Sequence, residues 1–377
     1  MAPSGLTEYQ SPRWSERLRR TGIALAIALT LGLGAGVAQE ISLAPHGVSA
    51  QSAATQADVA SVAAKANPGV VTIVTMQQMS DVQGGFQQQV PDQNGESLVP
   101  VGSGSGFIID EAGHVVTNSH VVNGGSGFEV QFYDGTTAMA TLVGADPFQD
   151  VAVLQLQLEA GQTVPGIVQF GDSDLVRAGD PVVAIGTPYG EYDNTVTSGI
   201  INAVERGLDT QSGFSLPNLL QHDADIYPGN SGGPLLNAEG EVIGINVAKA
   251  FNQQMGAFGE DGFNFAIESN AAKEIVDEII ADGQFDRAYL GIRGETTGQG
   301  IAIVSVEAGG PAEAAGLQPG DVITGVQGVD GDLPNEALDT VLFDRKPGDQ
   351  VTLEVVRDGQ SITIDLILGE RPTEPAS

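Results

Sequence analysis

The stretch that most narrows the possible folds is Tyr227-Pro228-Gly229-Asn230-Ser231-Gly232-Gly233-Pro234, which places one serine on a turn framed by glycines. Glycine tolerates positive φ and lets another backbone approach closely, so a substrate carbonyl could reach the amides of such a turn. A nucleophilic serine needs that setting, although β proteins also use serine in glycine-rich turns for purely structural ends. The supply of bases is the second constraint. Four histidines exist, His46, His114, His120 and His222, and none follows Ser231. Cysteine is absent, which removes thiol catalysis, a disulfide framework and cysteine metal sites.

A serine hydroxyl of ordinary pKa cannot attack an amide without a base. His46 lies in a polar linker, and His222 is too close along the chain to pack readily against Ser231. His114 opens a strand beside a turn. His120 follows the apolar strand in Val115-Val116-Thr117-Asn118-Ser119-His120-Val121-Val122, where a barrel wall can hold its ring, and is the best candidate base. A carboxylate is then needed to fix the imidazole tautomer and stabilise its charged form. Asp150 stands immediately before the apolar run Val151-Ala152-Val153-Leu154 and fits that role. Chain order sorts the alternatives. The pattern around Ser231 also matches the G-x-S-x-G elbow of α/β-hydrolases, but those enzymes place their histidine after the serine, and subtilisin-like enzymes place the aspartate first. His120, Asp150, Ser231 is the chymotrypsin order.

The strand pattern agrees with that order. Apolar, β-branched runs at 70–76, 105–109, 114–117, 128–133, 136–143 and 151–156 form a first set, with hairpin turns at Asp110-Glu111-Ala112-Gly113 and Asp134-Gly135. A second set covers 167–170, 181–185, 195–204, 241–248 and 263–267, and an amphipathic helix at 271–281 ends at Gly283. Residues 79–101 read as a polar loop without periodicity. The expected fold class is mainly β, with two six-stranded barrels followed by a smaller module. In that module Pro311 starts a short helix, residues 334–343 form another, and strands at 351–356 and 361–368 meet across Asp358-Gly359.

Arg13, Arg17, Arg19 and Arg20 precede an apolar segment at residues 22–38, the pattern of an export signal. The segment is either a cleaved signal core or a retained membrane anchor, and in both cases the remainder lies outside the cytoplasm. The expected organisation is a basic region at 1–21, the apolar segment at 22–38, a linker at 39–56, a barrel domain at 57–283, a second domain at 284–370 and a tail at 371–377. A net charge of −33 argues against nucleic acid as a partner. No phosphate-binding loop or metal-spaced cluster is present, so no cofactor is expected.

Six ordered motifs resemble the HtrA (Deg) serine proteases with a PDZ domain. They are Gly102-Ser103-Gly104-Ser105-Gly106-Phe107, Thr117-Asn118-Ser119-His120-Val121-Val122, Asp150-Val151-Ala152-Val153-Leu154, Ile185-Gly186-Thr187-Pro188, Val196-Thr197-Ser198-Gly199-Ile200-Ile201 and Gly229-Asn230-Ser231-Gly232-Gly233-Pro234. The resemblance spans residues 57–370. It implies a chymotrypsin-like protease domain at 57–283, a PDZ domain at 284–370, and a triad of His120, Asp150 and Ser231. The turn Gly229-Asn230-Ser231 would supply an oxyanion hole through the amides of Gly229 and Ser231. A pocket near Ile226 would favour small aliphatic side chains. In the PDZ domain, Tyr289-Leu290-Gly291-Ile292 would capture a peptide C-terminus, and Leu338 and Leu342 would line the groove.

What the resemblance implies functionally is ATP-independent cleavage of misfolded envelope proteins by a homotrimer, with membrane contact only through an uncleaved N-terminal segment. The rival reading is a chaperone or scaffold with a vestigial protease domain. Two residues depart from the family pattern: Asp225 adds a carboxylate six residues before Ser231, and Tyr227 replaces a smaller polar residue. An acid at the pocket base would favour basic substrates, whereas a solvated turn acid would not.

Overall fold

The structure, a computed structural model, describes residues 58–78, 90–91, 97–187, 194–209, 215–247, 264–327, 342 and 345–371. The apolar segment at 22–38, the linker, most of the loop at 79–101, and Leu338 with all of the 334–343 helix but Leu342 lie outside these residues.

Asp58 starts helix α1 (Val59–Ala66) by accepting hydrogen bonds from the Ala60 amide (3.2 Å) and the Ser61 hydroxyl (2.7 Å). The chain then enters β1 (Val70–Gln78), β2 (Val90–Pro91), β3 (Ser97–Ile108) and β4 (His114–Thr117). After the single turn of helix α2 (Ser119–Val122) follow β5 (Gly127–Gln131), β6 (Thr137–Asp146) and β7 (Val151–Gln157). All neighbours are antiparallel, in the order β1-β5-β6-β7-β4-β3, and β3 returns to β1 with Val70 opposite Phe107, closing a six-stranded barrel. β2 pairs with the outer end of β3.

A second closed barrel runs β10-β13-β12-β11-β8-β9. Its strands are β8 (Pro181–Gly186), β9 (Thr195–Asp209), β10 (Ser215–His222), β11 (Pro234–Leu236), β12 (Val242–Val247) and β13 (Asn264–Glu268). Each barrel has its own apolar interior, Ile73, Ile108 and Leu154 in the first and Ile201, Leu220 and Leu235 in the second. A further core joins them: Phe107 and Val153 pack with Ile185, Leu219 and Ile245, beneath Ile275, Val276 and Ile279 of helix α3 (Ser269–Asp282). Because both barrels bury side chains in this seam, loops from each are held against the other. Gly283 ends α3 at φ 82°.

Three sequence expectations change here. Residues 167–170 make only one parallel bridge, Phe170 to Val242, and are not a barrel strand. The remaining two positions of the barrel are filled by strands that periodicity does not show. β10 carries Pro217 and Asn218 (φ 56°) and slips register against β9, and β11 has only three residues. Finally, β3 starts at Ser97, inside the segment read as loop.

The C-terminal module contains β14 (Ala288–Tyr289), β15 (Ile292–Thr297), β16 (Gly300–Val306), helix α4 (Pro311–Ala314), β17 (Val322–Val326), β18 (Gln350–Arg357), β19 (Gln360–Ile367) and β20 (Gly369–Glu370). β15 to β19 form one sheet in chain order, and β14 pairs with β20, tying the two ends of the module together. Asp358 (φ 50°) and Gly359 (φ 78°) both adopt the left-handed region at the β18–β19 hairpin, as a type I′ turn requires. Leu290, Ile303, Ala312, Ile323, Leu353 and Leu366 form its separate core. The fold is thus mainly β, two closed six-stranded barrels followed by a smaller module with a five-stranded sheet and its own core.

Candidate active site

His120 sits in the one-turn helix that leaves β4, and Asp150 sits immediately before β7, which pairs with β4 through Thr117 and Ala152. Strand pairing therefore brings the two together across a gap in sequence. The Asp150 carboxylate holds His120 at two points: Oδ1 accepts from the His120 amide (2.8 Å) and Oδ2 lies 2.7 Å from Nδ1. Asn118 fixes the other side of Asp150 by donating its side-chain amide to the Asp150 carbonyl at 2.9 Å. Asp150 is buried at φ 58°, a left-handed conformation that costs a non-glycine residue about 1 kcal/mol or more and needs such restraints to persist. With Nδ1 engaged by the acid, Nε2 is the nitrogen left for chemistry.

The serine turn comes from the second barrel. Tyr227, Pro228, Gly229 and Asn230 form a turn in which the Asn230 amide donates to the Tyr227 carbonyl (2.9 Å) and Gly229 has φ 103°. Proline second and a positive-φ glycine third are the residues a type II turn selects. The Asn230 amide is thus used inside the turn. Ser231 is nearly buried, and its carbonyl accepts from the Ser105 amide of β3 at 2.8 Å. Gly232 (φ 83°) leaves no room for a side chain, since a Cβ would lie 2.2 Å from Thr117 Oγ1 and 3.0 Å from the Asn118 amide. The serine turn therefore packs directly on the segment that leads into His120.

Ser105 has no assigned role in the sequence reading, yet it ties the halves of the site together. Its hydroxyl donates to the Gly229 carbonyl (2.7 Å) and accepts from the Thr187 amide (2.8 Å), while its carbonyl accepts from Thr117 Oγ1 (2.7 Å). The available signal was a serine set among glycines at the end of an otherwise apolar strand, in Gly102-Ser103-Gly104-Ser105-Gly106-Phe107.

Upstream of the serine, burial alternates. Ile226 and Ala224 are buried among Leu220 and Leu235, whereas Asp223 and Asp225 are exposed. Asp223 accepts from the Ile200 amide (2.6 Å), and the Asp225 carbonyl accepts from Thr197 Oγ1 (2.8 Å). Asp225 has the setting of a solvated turn acid. His222 ends β10 fully buried, with neither ring nitrogen hydrogen-bonded among the described residues. Burial pushes its pKa down from 6.5 to about 4, opposed by the Asp223 carboxylate. The unfolded chain therefore binds a proton between those two pH values that the folded chain refuses. Stability falls as pH drops through that window, by about 1.4 kcal/mol per pH unit from this group. Denaturant unfolding of His222→Val is expected to show a slope shallower by that amount between pH 6.5 and 4.5; equal slopes would contradict the assignment.

In the C-terminal module, the segment Tyr289-Leu290-Gly291-Ile292 leads from β14 into β15. Gly291 adopts φ 78°, and its carbonyl accepts from the Glu307 amide at 2.9 Å. Leu290 is buried in the module core, and Leu342 packs partly buried against the same core. The Tyr289 hydroxyl donates to Glu307, and burial together with that carboxylate pushes the phenol up to about 12. Among the described residues no cluster could hold a metal ion.

Family models match the chain twice: a trypsin-like peptidase domain over residues 104–245 and a PDZ domain over residues 288–368. The Serine protease Do-like HtrA of Bacillus subtilis is 36% identical over 331 residues, covering 81% of this chain and 71% of the relative. A probable periplasmic serine endoprotease, DegP-like, of Brucella suis is 39% identical over 287 residues, covering 73% of this chain and 54% of the relative. Among solved structures, the HtrA-type protease AlgW with a decapeptide superposes with a TM-score of 0.66 at 32% identity, covering 83% of this chain and 99% of that one.

Proposed function

Because this chain belongs to the HtrA family of serine endoproteases with a PDZ domain, we propose that it cleaves unfolded or misfolded proteins outside the cytoplasm, without ATP, through an acyl-enzyme on Ser231. The two-point hold of Asp150 on His120, with the Ser231 turn packed on the adjoining segment, is the observation that carries this reading. His120 Nε2 takes the Ser231 proton as Oγ attacks the scissile carbonyl. Asp150 keeps the proton on Nδ1 and stabilises the imidazolium. The amides of Gly229 and Ser231 stabilise the oxyanion, and His120 then protonates the leaving amine. A water attacks the acyl-enzyme by the same route in reverse.

Ile226, buried among apolar neighbours, favours small aliphatic side chains on the acyl side of the cleaved bond, and the exposed Asp225 does not supply a buried counter-charge for basic ones. The turn at Tyr289, Leu290, Gly291 and Ile292, with Leu338 and Leu342 beyond it, holds a substrate C-terminus as an added strand. The working assembly is a homotrimer. An extracytoplasmic location is supported by the basic and apolar N-terminal pattern and by the periplasmic name of the Brucella relative. No helix among the described residues is long and apolar enough to cross a membrane.

Mass-spectrometric mapping of cleavage sites in a denatured proteome tests the function. Cuts are expected after Val, Ala and other small aliphatic residues. Cuts confined to Lys and Arg would assign Asp225 to the pocket, and an untouched proteome would favour a binding protein.

A further inference from the structure

Asp150 is held in a left-handed conformation at the end of Asp146-Pro147-Phe148-Gln149-Asp150, and the start of this loop has an anchor outside the barrel. Asp146 is nearly buried, and its carboxylate caps the loop by accepting from the Phe148 amide (3.1 Å) and the Gln149 amide (3.3 Å). The same carboxylate receives a charged fork: Arg287 Nε lies 2.9 Å from both oxygens, and its Nη2 donates to Oδ2. Arg287 is only 12% exposed and sits in the connection between α3 and β14. Its guanidinium stands 5.9 Å from the Phe148 ring and 5.4 Å from the Phe285 ring.

The connection is itself pinned. The Arg287 carbonyl accepts from the Arg371 amide at 2.8 Å, just past β20, and the Arg371 guanidinium lies 4.1 Å from Phe148 and 5.5 Å from Tyr289. On the barrel side, a Cβ on Gly144 would lie 2.3 Å from the Gly283 carbonyl, so β6 and the end of α3 are also in contact. The loop that presents Asp150 therefore shares one block with the residues at which the PDZ module begins and ends.

We propose that Arg287 is a positioning residue for the proteolytic reaction, acting through Asp146 on the geometry of Asp150. This rests on the triad reading above. A buried carboxylate stripped of its cationic partner draws in water or turns outward. Either movement releases the Phe148 and Gln149 amides and slackens the loop four residues from Asp150. His120 then loses its fixed orientation, and misplacement on the scale of an ångström costs up to about a hundredfold in rate. Substrate binding is expected to be untouched, because no residue of 146–150 belongs to the apolar cluster around Ile226.

The test measures kcat and KM of the full chain on a fluorogenic peptide with an aliphatic residue at the cleavage point. For Arg287→Gln, kcat is expected to fall about 10- to 100-fold with KM within twofold of wild type. Arg287→Lys keeps the charge but not the fork, and is expected to recover part of that loss. If Arg287→Gln does not fold, the double variant Arg287→Gln/Asp146→Asn, which leaves no unpaired charge, is expected to fold and to keep the low kcat. A wild-type kcat in the folded Gln or double variant, or a loss carried by KM, overturns the proposal. Should Ser231→Ala retain activity, the triad reading itself fails; if that variant is inactive while Arg287→Gln matches wild type, only the role of Arg287 fails.

Discussion

Ser231→Ala is expected to lower the rate of casein cleavage by on the order of 10⁶, to the small residue that binding and the oxyanion amides sustain alone, while leaving the fold intact. The size of the effect follows from the site having one nucleophile: without Oγ no acyl-enzyme forms, and the oxyanion amides and the pocket retain only a small part of the acceleration. The fold survives because what secures Ser231 is backbone, its carbonyl on the Ser105 amide and the Gly232 amide on the Asn246 carbonyl at 2.9 Å. Circular dichroism and the thermal midpoint should match wild type. Cleavage by the folded variant at a measurable fraction of the wild-type rate would place the chemistry elsewhere.

The second large effect is expected from Asp150→Asn, a loss of about 10⁴ in kcat with little change in KM. A carboxylate accepts from both the His120 amide and Nδ1–H. An asparagine has one accepting oxygen, and its NH2 group donates to Nδ1 when the oxygen keeps the backbone amide. That exchange favours the tautomer with the proton on Nε2, where the ring cannot take a proton from serine. Asparagine tolerates the left-handed region, so the φ of 58° is no barrier to folding. Steady-state kinetics with a peptide substrate, alongside the thermal midpoint, would separate this outcome from simple destabilisation. A kcat within tenfold of wild type would remove Asp150 from the mechanism.

Local chemistry made much of the architecture legible. Asp134-Gly135 and Asp358-Gly359 announce hairpins because few other residues accept their turn geometry, and Gly283 marks where α3 stops. The order of His120, Asp150 and Ser231 was readable because only four histidines compete for the role of base. What was not legible is what depends on distant partners. β10 hides because Pro217 and the left-handed Asn218 break its alternation, and β11 is too short to show any. The apolar run at 167–170 looks like a strand but serves the seam between the barrels, where Val168 and Phe170 pack. Asp225 could be read from sequence as a pocket acid, and only the alternation of burial around Ile226 shows it exposed. The pairing of Arg287 with Asp146 joins residues 141 positions apart and leaves no local trace.

The central claim is that Ser231 is an activated nucleophile, and a fluorophosphonate probe tests it most directly, because such probes phosphonylate a serine, expelling fluoride, only where a base raises its nucleophilicity. Intact-mass measurement and peptide mapping should find a single adduct per chain, on Ser231, absent from Ser231→Ala and forming far more slowly in Asp150→Asn. An adduct on another serine, or proteolysis that persists in fully probe-treated protein, would contradict the account.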